Sequence, residues 1–283
     1  MSLLQGWLPP SREHWEVIVK VTGIQYVTDF YPAGKNSVNS RFNIPGKIGW
    51  ATMESPGFLI VLYSMFTLPE QAGVSSGLPR ANWLMAALYT IHYINRALIS
   101  PYLNPSMSPM HPIVWVSAFA WQVMNGLSIG GWLGGWGPTK QEDWQGHTLW
   151  IQGGLMLWAL GWLGNMWHDD ELREIRRASA RRQKKEQEKK DQQGKASTHV
   201  DKVYDIPQNG LFAFVFFPHY LLEWVEWAGF WMIGGFRCLP AQNFLINEIS
   251  TMLPRALQGK RWYVEKFGAK RVGNRKAVIP GLL

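Results

Sequence analysis

The sequence predicts an all-α protein, a polytopic transmembrane helix bundle of about seven spans with a weak first one. Three observations carry that prediction. Apolar runs approaching the roughly 20 residues that a helix needs to cross a bilayer recur along the chain. Seventeen Trp and an aromatic share of 14% are concentrated in those runs or at their edges, where a membrane interface selects aromatic rings. Two basic blocks are separated by two of the runs, so they fall on one side of a membrane, as the positive-inside rule requires. The runs are too long for single strands, lack strict alternation and have Pro or Gly at their ends, which favours helix. A buried soluble helical core is the competing reading of the same lengths.

In chain order, the first stretch, 15–31, is interrupted by Lys20, Gln25 and Asp29, and reads as a truncated or interfacial helix. Longer apolar runs follow at 48–66, 81–103, 112–136, 149–167, 210–235 and about 244–257. The chain therefore divides into an N-terminal segment, 1–47, with the weak span and a loop carrying Lys35, Arg41 and Lys47, and a membrane domain over 48–283. That domain includes a basic loop at 177–202, read as a solvated helix or a disordered segment, with Arg181, Arg182, Lys184, Lys185, Lys189 and Lys190. The second basic block follows the last run, from Lys260 and Arg261 to Arg275 and Lys276. Both are expected in the cytosol, which makes the C-terminus cytosolic and, with the weak first span counted, the 35–47 loop cytosolic and the N-terminus lumenal.

The net charge of +8 lies largely in those two blocks, with no stacking platform or recognition helix between them, so no nucleic acid is expected as a partner. A lipid bilayer is. One cysteine, Cys238, excludes an intrachain disulfide and any cysteine-based zinc spacing, and no metal site is predicted. The first residues lack the pattern of a cleavable signal, so insertion is expected to rely on internal spans. There is no acyl-transfer elbow, no Walker A loop and no HExxH. The glycines at 130–137 do not make a dinucleotide fingerprint after a strand, so a bound nucleotide would be held by side chains of helices and loops.

Charged and titratable groups inside membrane spans are expensive, which makes each a candidate functional residue. Glu54 lies in the second run. His92, Tyr93 and Arg96 lie in the third, with His92 and Arg96 one turn apart. Asn165, Asp169 and Arg176 share one helix face at spacings of four and seven, and His219, Glu223 and Glu226 follow at four and three. Any one of these groups alone reads as a polar pair that packs helices. Four groups in four spans describe a polar cavity within a bundle. Arg suits phosphate, and a Tyr beside a carboxylate can hydrogen-bond a carbonyl and stabilise enolate charge.

Six stretches, in order, resemble the steroid 5α-reductase (3-oxo-5-alpha-steroid 4-dehydrogenase) family. They are His92-Tyr93-Ile-Asn-Arg96; Asn165-Met-Trp-His-Asp169 with Leu172 and Arg176; Tyr204-Asp-Ile-Pro207-Gln-Asn-Gly210-Leu-Phe212; Glu223-Trp-Val-Glu226-Trp227-Ala-Gly229; Arg255-Ala-Leu with Trp262-Tyr263-Val-Glu-Lys266-Phe267; and Arg275-Lys276-Ala-Val-Ile279-Pro280. The N-terminal part agrees through Gly34-Lys35 and Trp50…Glu54-x-Pro56. The resemblance implies a seven-helix enzyme of the endoplasmic reticulum membrane in which NADPH reduces the conjugated double bond of a 3-oxo-Δ4 steroid or sterol-like enone. By motif position it makes Tyr93 and Glu54 the catalytic residues that polarise the substrate carbonyl. It gives the cofactor to Arg96, Asn104, Asn165, Asp169, Arg176, Tyr204, Glu223 and Tyr263, with Arg96 and Arg176 as phosphate ligands. For Tyr204 and Pro207, a helix-entry turn is as good a reading as direct contact.

Departures from the pattern carry expectations of their own. Gly259 stands where the family often has histidine, so one contact is expected to be lost or taken over by Lys260 or Arg261. His219 stands where Asn is common. The alternatives are a polyprenal or very-long-chain enoyl reductase of the same superfamily, and a non-catalytic membrane scaffold.

Overall fold

The computed structural model describes residues 6–24, 40–192 and 205–283. Ser11 opens the first helix, its hydroxyl accepting a hydrogen bond from the His14 amide at 3.3 Å, a side-chain cap for an otherwise orphaned donor. Helix α1 runs Arg12–Thr22 and stops at Gly23. The weak first span is therefore an 11-residue helix, with Trp15, Ile18 and Val19 buried and the Trp15 indole donating to the Ser128 carbonyl at 2.8 Å. The remainder of 15–31 beyond residue 24, together with Lys35, lies outside the described residues.

Helix α2 spans Gly46–Gln71 and α3 spans Arg80–Tyr93. A π-helical stretch, Ile94–Ile99, carries α3 without interruption into the short α4, Ser100–Leu103, so the 81–103 run is one rod. Helix α5, Pro112–Gly131, continues as a second π-helical stretch, Trp132–Trp136, which matches the 112–136 run. A 3-10 turn, Gln141–Trp144, leads to α6, Thr148–Gln192. After a second 3-10 turn, Gly210–Ala213, come α7, Pro218–Ile233, α8, Leu239–Phe267, and the four-residue α9, Ala269–Val272. Among the described residues there is no strand, only isolated bridges such as Val215 with Lys276.

Of the two readings of 177–202, the solvated helix holds as far as Gln192, where α6 ends, because Ala, Arg, Lys, Glu and Gln are good helix formers and Glu174 pairs with Arg177 a turn away. Two sequence expectations need correction. The 210–235 run is not one helix. Pro218 occupies the first turn of α7 and forces Phe217 out of helical geometry (φ −129°, ψ 55°), leaving a break after the 3-10 turn. The 244–257 run is only the middle of α8, which has 29 residues and ends at Gly268 with φ +82°. Lys260, Arg261 and Lys266 are thus helical rather than part of a trailing tail.

The most extensive helix contacts are those of α2 with α5 and of α7 with α6. The first pair touches closely because both partners offer glycine: a Cβ on Gly126 would stand 2.7 Å from the Gly57 carbonyl oxygen. Gly161 does the same for the second, since a Cβ there would lie 2.4 Å from the Glu226 amide nitrogen. Such approach is what small residues permit between apolar helices. By length and composition one described stretch, Pro112–Trp136, could cross a membrane. Helices α2 and α3 carry the buried Glu54 and His92 in their interiors, which lowers their mean hydropathy.

Candidate active site

Close contact of α2 and α5 sets the inner part of the site. Glu54 on α2 and Tyr93 at the end of α3 are both buried. Gln122 of α5 reaches across between them: its Nε2 donates to Glu54 Oε2 and, at 3.2 Å, to the Tyr93 hydroxyl. Beside this trio the Asn125 amide donates to the Tyr89 hydroxyl at 3.0 Å, and the Tyr89 and Tyr93 rings lie 4.6 Å apart.

Adjacent to it is a second buried cluster. His92 Nδ1 donates to Glu226 Oε1 at 2.6 Å, while its Nε2 is 3.9 Å from Glu223 Oε1. Glu223 also faces Arg96 at 3.8 Å and accepts from Asn165 Nδ2 at 3.1 Å. The same Asn165 amide donates to the His219 carbonyl at 2.9 Å, which ties α6 to the start of α7. The π-helical stretch after Tyr93 turns the Arg96 carbonyl outward to accept from the Trp50 indole at 3.1 Å. The Arg96 guanidinium lies 5.2 Å over the Trp50 ring, a favourable cation–π position.

Outward from Arg96 the protein opens into two adjoining cavities. The smaller, of about 150 Å³, is bordered by Trp50, Arg96, Asn104, Asp169, Arg173 and Arg176. The larger, of about 940 Å³, shares Trp50, Asn104 and Arg176 and adds His219, Arg255, Arg261 and Tyr263, a size in the upper range of small-molecule sites. Arg176 Nη1 donates to Asn104 Oδ1 at 2.9 Å where the two meet. His219 Nδ1 is buried and has no hydrogen-bond partner.

One wall of the larger cavity is the segment that includes Asp205, Phe216 and Phe217. Backbone and side chain fasten it together. Phe216 and Phe217 donate to the Lys276 and Ala277 carbonyls at 3.0 and 2.9 Å. Arg275 donates to the Pro207 carbonyl at 2.9 Å and lies 4.7 Å over the Phe216 ring. On the other side His168 Nδ1 donates to the Gly164 carbonyl at 2.7 Å, so its Nε2 is free to accept from the Leu211 amide at 3.2 Å. Burial pushes the His168 imidazole below its ordinary pKa. The Arg275–Pro280 motif and His168 therefore hold the wall in place.

Most of the residues singled out in the sequence meet here. Glu54 and Tyr93 join through Gln122; Arg96, Asn165 and Glu223 form one cluster; Asn104, Asp169, Arg176 and Tyr263 border the cavities. Tyr204 lies outside the described residues. Of the two replacements expected at the Gly259 departure, Arg261 borders the cavity. Gly259 itself is required where it is, since a Cβ there would fall 2.2 Å from the Phe217 ring. Sequence reading missed Gln122, Asn125 and Trp50 as site residues. The signal for the first two is weak: two amides three residues apart in an otherwise apolar run carry a burial cost, but a smaller one than a charge.

Residues 108–283, from just before α5 to the last residue, match the family model described as 3-oxo-5-alpha-steroid 4-dehydrogenase. That makes the molecule an oxidoreductase of membrane-associated type, with a nicotinamide cofactor implied. The chain belongs to the 3-oxo-5-alpha-steroid 4-dehydrogenase family. Among its relatives, an uncharacterized protein of Schizosaccharomyces pombe is 38% identical over 264 residues, covering 89% of each chain. A steroid 5-alpha-reductase of Solanum lycopersicum is 30% identical over 267 residues, 91% of this chain and 89% of that protein. The 3-oxo-5-alpha-steroid 4-dehydrogenase 1 of Rattus norvegicus is 29% identical over 272 residues, 96% and 93% of the two chains.

Proposed function

We propose that this protein reduces the conjugated carbon–carbon double bond of a 3-oxo-Δ4 steroid or sterol-like enone lipid with NADPH, as a multi-pass protein of the endoplasmic reticulum membrane with its C-terminus in the cytosol. The observation that carries the proposal is the meeting of Glu54 and Tyr93 on one amide in the interior, one helical turn from Trp50 and Arg96 at the edge of the cavities.

The cavities suit a dinucleotide phosphate. Arg176, Arg255 and Arg261 offer charge for phosphate oxygens, Tyr263 and Trp262 offer aromatic surface, and the orphaned His219 Nδ1 calls for a polar partner. In this reading Arg96, Asn104, Asn165, Asp169, Arg176, Tyr204, Glu223 and Tyr263 hold the cofactor. When bound, NADPH would supply a hydride to the β-carbon of the enone, and a proton taken up at the α-carbon completes the saturation. Tyr93 donates a hydrogen bond to the substrate carbonyl, and Glu54 keeps the phenol oriented. Because negative charge grows on that oxygen as the double bond is consumed, a donor already aimed there favours the transition state over the bound substrate. Large apolar side chains that stay exposed along α2, α5 and α6, among them Phe66, Ile113, Val116, Leu149, Leu160 and Leu163, support a lipid-facing surface, since soluble proteins rarely show so much apolar area together.

The test is product analysis by mass spectrometry in cells expressing the protein and fed enone steroids and polyprenals. Saturated steroid is the expected product. Polyprenal saturated at its α,β bond, with no saturated steroid, would move the substrate assignment to the long-chain alternative, and no reduced lipid of either class would sink the catalytic reading.

A further inference from the structure

Gln122 hydrogen-bonds both Glu54 and Tyr93, and its environment is unusual for a residue that only packs helices. It is buried in α5, between Trp121 and Val123. Both hydrogens of its Nε2 are committed, one to a carboxylate and one to a phenol oxygen. Its Oε1 is buried without a partner and lies in the space that a Cβ on Gly57 would need, 2.5 Å from that position. An unpaired buried acceptor is a standing cost, and an aliphatic residue of similar size would fill the same gap without it. The donor end faces Glu54 because an amide oxygen turned toward a carboxylate would be repelled, so the orientation follows from charge as well as from shape.

We propose that Gln122 is a positioning residue for enone reduction: it fixes the Glu54 carboxylate and the Tyr93 oxygen at the spacing of a single amide nitrogen. The inference rests on the reading above that these two groups hold the substrate carbonyl. A phenol oxygen that accepts from Gln122 does not spend its own O–H, which can turn to the substrate. The N–H bond to that oxygen also strengthens as charge flows onto it, so the amide acts in the transition state through Tyr93. Misplacement of a reacting group by about an ångström costs on the order of 10²-fold in rate.

The test compares the full-length wild type with Gln122→Leu and Gln122→Glu in membranes, measuring NADPH affinity, KM for an enone steroid and kcat as a function of pH. Gln122→Leu is expected to lower kcat by about 10²-fold while NADPH affinity stays as in the wild type, which also reports that the variant is folded. Gln122→Glu keeps the size but sets a second carboxylate against Glu54, and is expected to move the acidic limb of the kcat profile to higher pH. The inference is overturned if Gln122→Leu keeps wild-type kcat, if its loss lies in NADPH affinity alone, or if Gln122→Glu leaves the profile in place. Should Gln122→Leu fail to bind NADPH, the Gln122→Glu profile decides. A wild type that binds NADPH yet reduces no enone sinks the underlying reading instead, a result these variants cannot imitate.

Discussion

The inner and outer halves of the site are built by different means. Around Glu54, Gln122, Tyr93, His92 and Glu226, side chains hydrogen-bond one another across four helices, and the close approach of α2 to α5 at Gly57 and Gly126 sets the distances. Around Arg176, Asn104 and Tyr263 the walls are partly non-helical, and backbone carbonyls of the tail and of the Asp205–Phe217 side do the fastening. Under the proposed function, chemistry that needs close placement would sit on closely packed helices, and a large ligand where a wall is assembled around it. The two halves meet at Arg96, whose carbonyl belongs to one and whose guanidinium borders the other.

If that division is right, variants in the two halves should fail in different ways. The largest effect is expected at the inner half. Tyr93→Phe removes the phenol donor and should cost about 10²–10³-fold in kcat, the usual loss of one preorganised donor at a developing oxyanion, with NADPH affinity retained. Glu54→Gln should likewise lower turnover more than cofactor affinity. Steady-state kinetics with direct titration of NADPH would check both, and equal loss of turnover and affinity in folded protein would collapse the distinction between the halves.

Next comes the outer half. Arg176→Ala should raise KM for NADPH by about tenfold or more, in line with losing a charge-assisted hydrogen bond of roughly 1.5–3 kcal/mol, and leave kcat at saturating cofactor unchanged. Arg176→Lys should restore only part of it, because an ammonium cannot reproduce the guanidinium fork that now holds Asn104. A kcat defect at saturation would mean that the outer half shapes the chemistry too.

The contrast also explains what could be read from the chain. The rods were legible: the runs at 81–103 and 112–136 coincide with continuous helices because their apolar content, length and flanking Pro are local properties. So were the costly charges at Glu54, His92, Arg96 and Glu223. Gln122 was not, since an uncharged amide in an apolar run raises little alarm and its two partners are far away in sequence. The break before α7 was not legible, because apolar content hides a proline boundary. Over 177–202 charge alone leaves helix and disordered segment both open, and helix propensity with short-range ion pairs settles it as helix as far as Gln192.

A smaller, pH-dependent effect should appear at the wall of the outer half. His168 bridges the Gly164 carbonyl and the Leu211 amide only when neutral, since a protonated ring has no acceptor left. Its pKa is lower in the folded chain than the unfolded value of about 6.5, so its contribution to stability is present above that value and is lost as pH falls below it. Protection of the Leu211 amide, measured against its intrinsic exchange rate, is expected to fall between neutral and mildly acid pH while protection in α2 and α5 holds steady. His168→Ala should show the low protection at every pH and destabilise the wall by about 1 kcal/mol, the net worth of one hydrogen bond.

The smallest effect should lie farthest out. Arg182, on the extension of α6, pairs with Asp205 at 3.3 Å, but the two side chains are 66% and 41% exposed. Water and salt screen a pair of that kind, and holding two mobile side chains together offsets much of the attraction, so its net worth is about 0–1 kcal/mol. Arg182→Ala should therefore leave the thermal midpoint and NADPH affinity close to those of the wild type, and added salt should erase any remaining difference. A clear drop in NADPH affinity would carry the opposite lesson. It would make the pair a tether on the Asp205 side of the larger cavity, and α6 beyond the bundle would then be part of the cofactor site rather than a solvated extension.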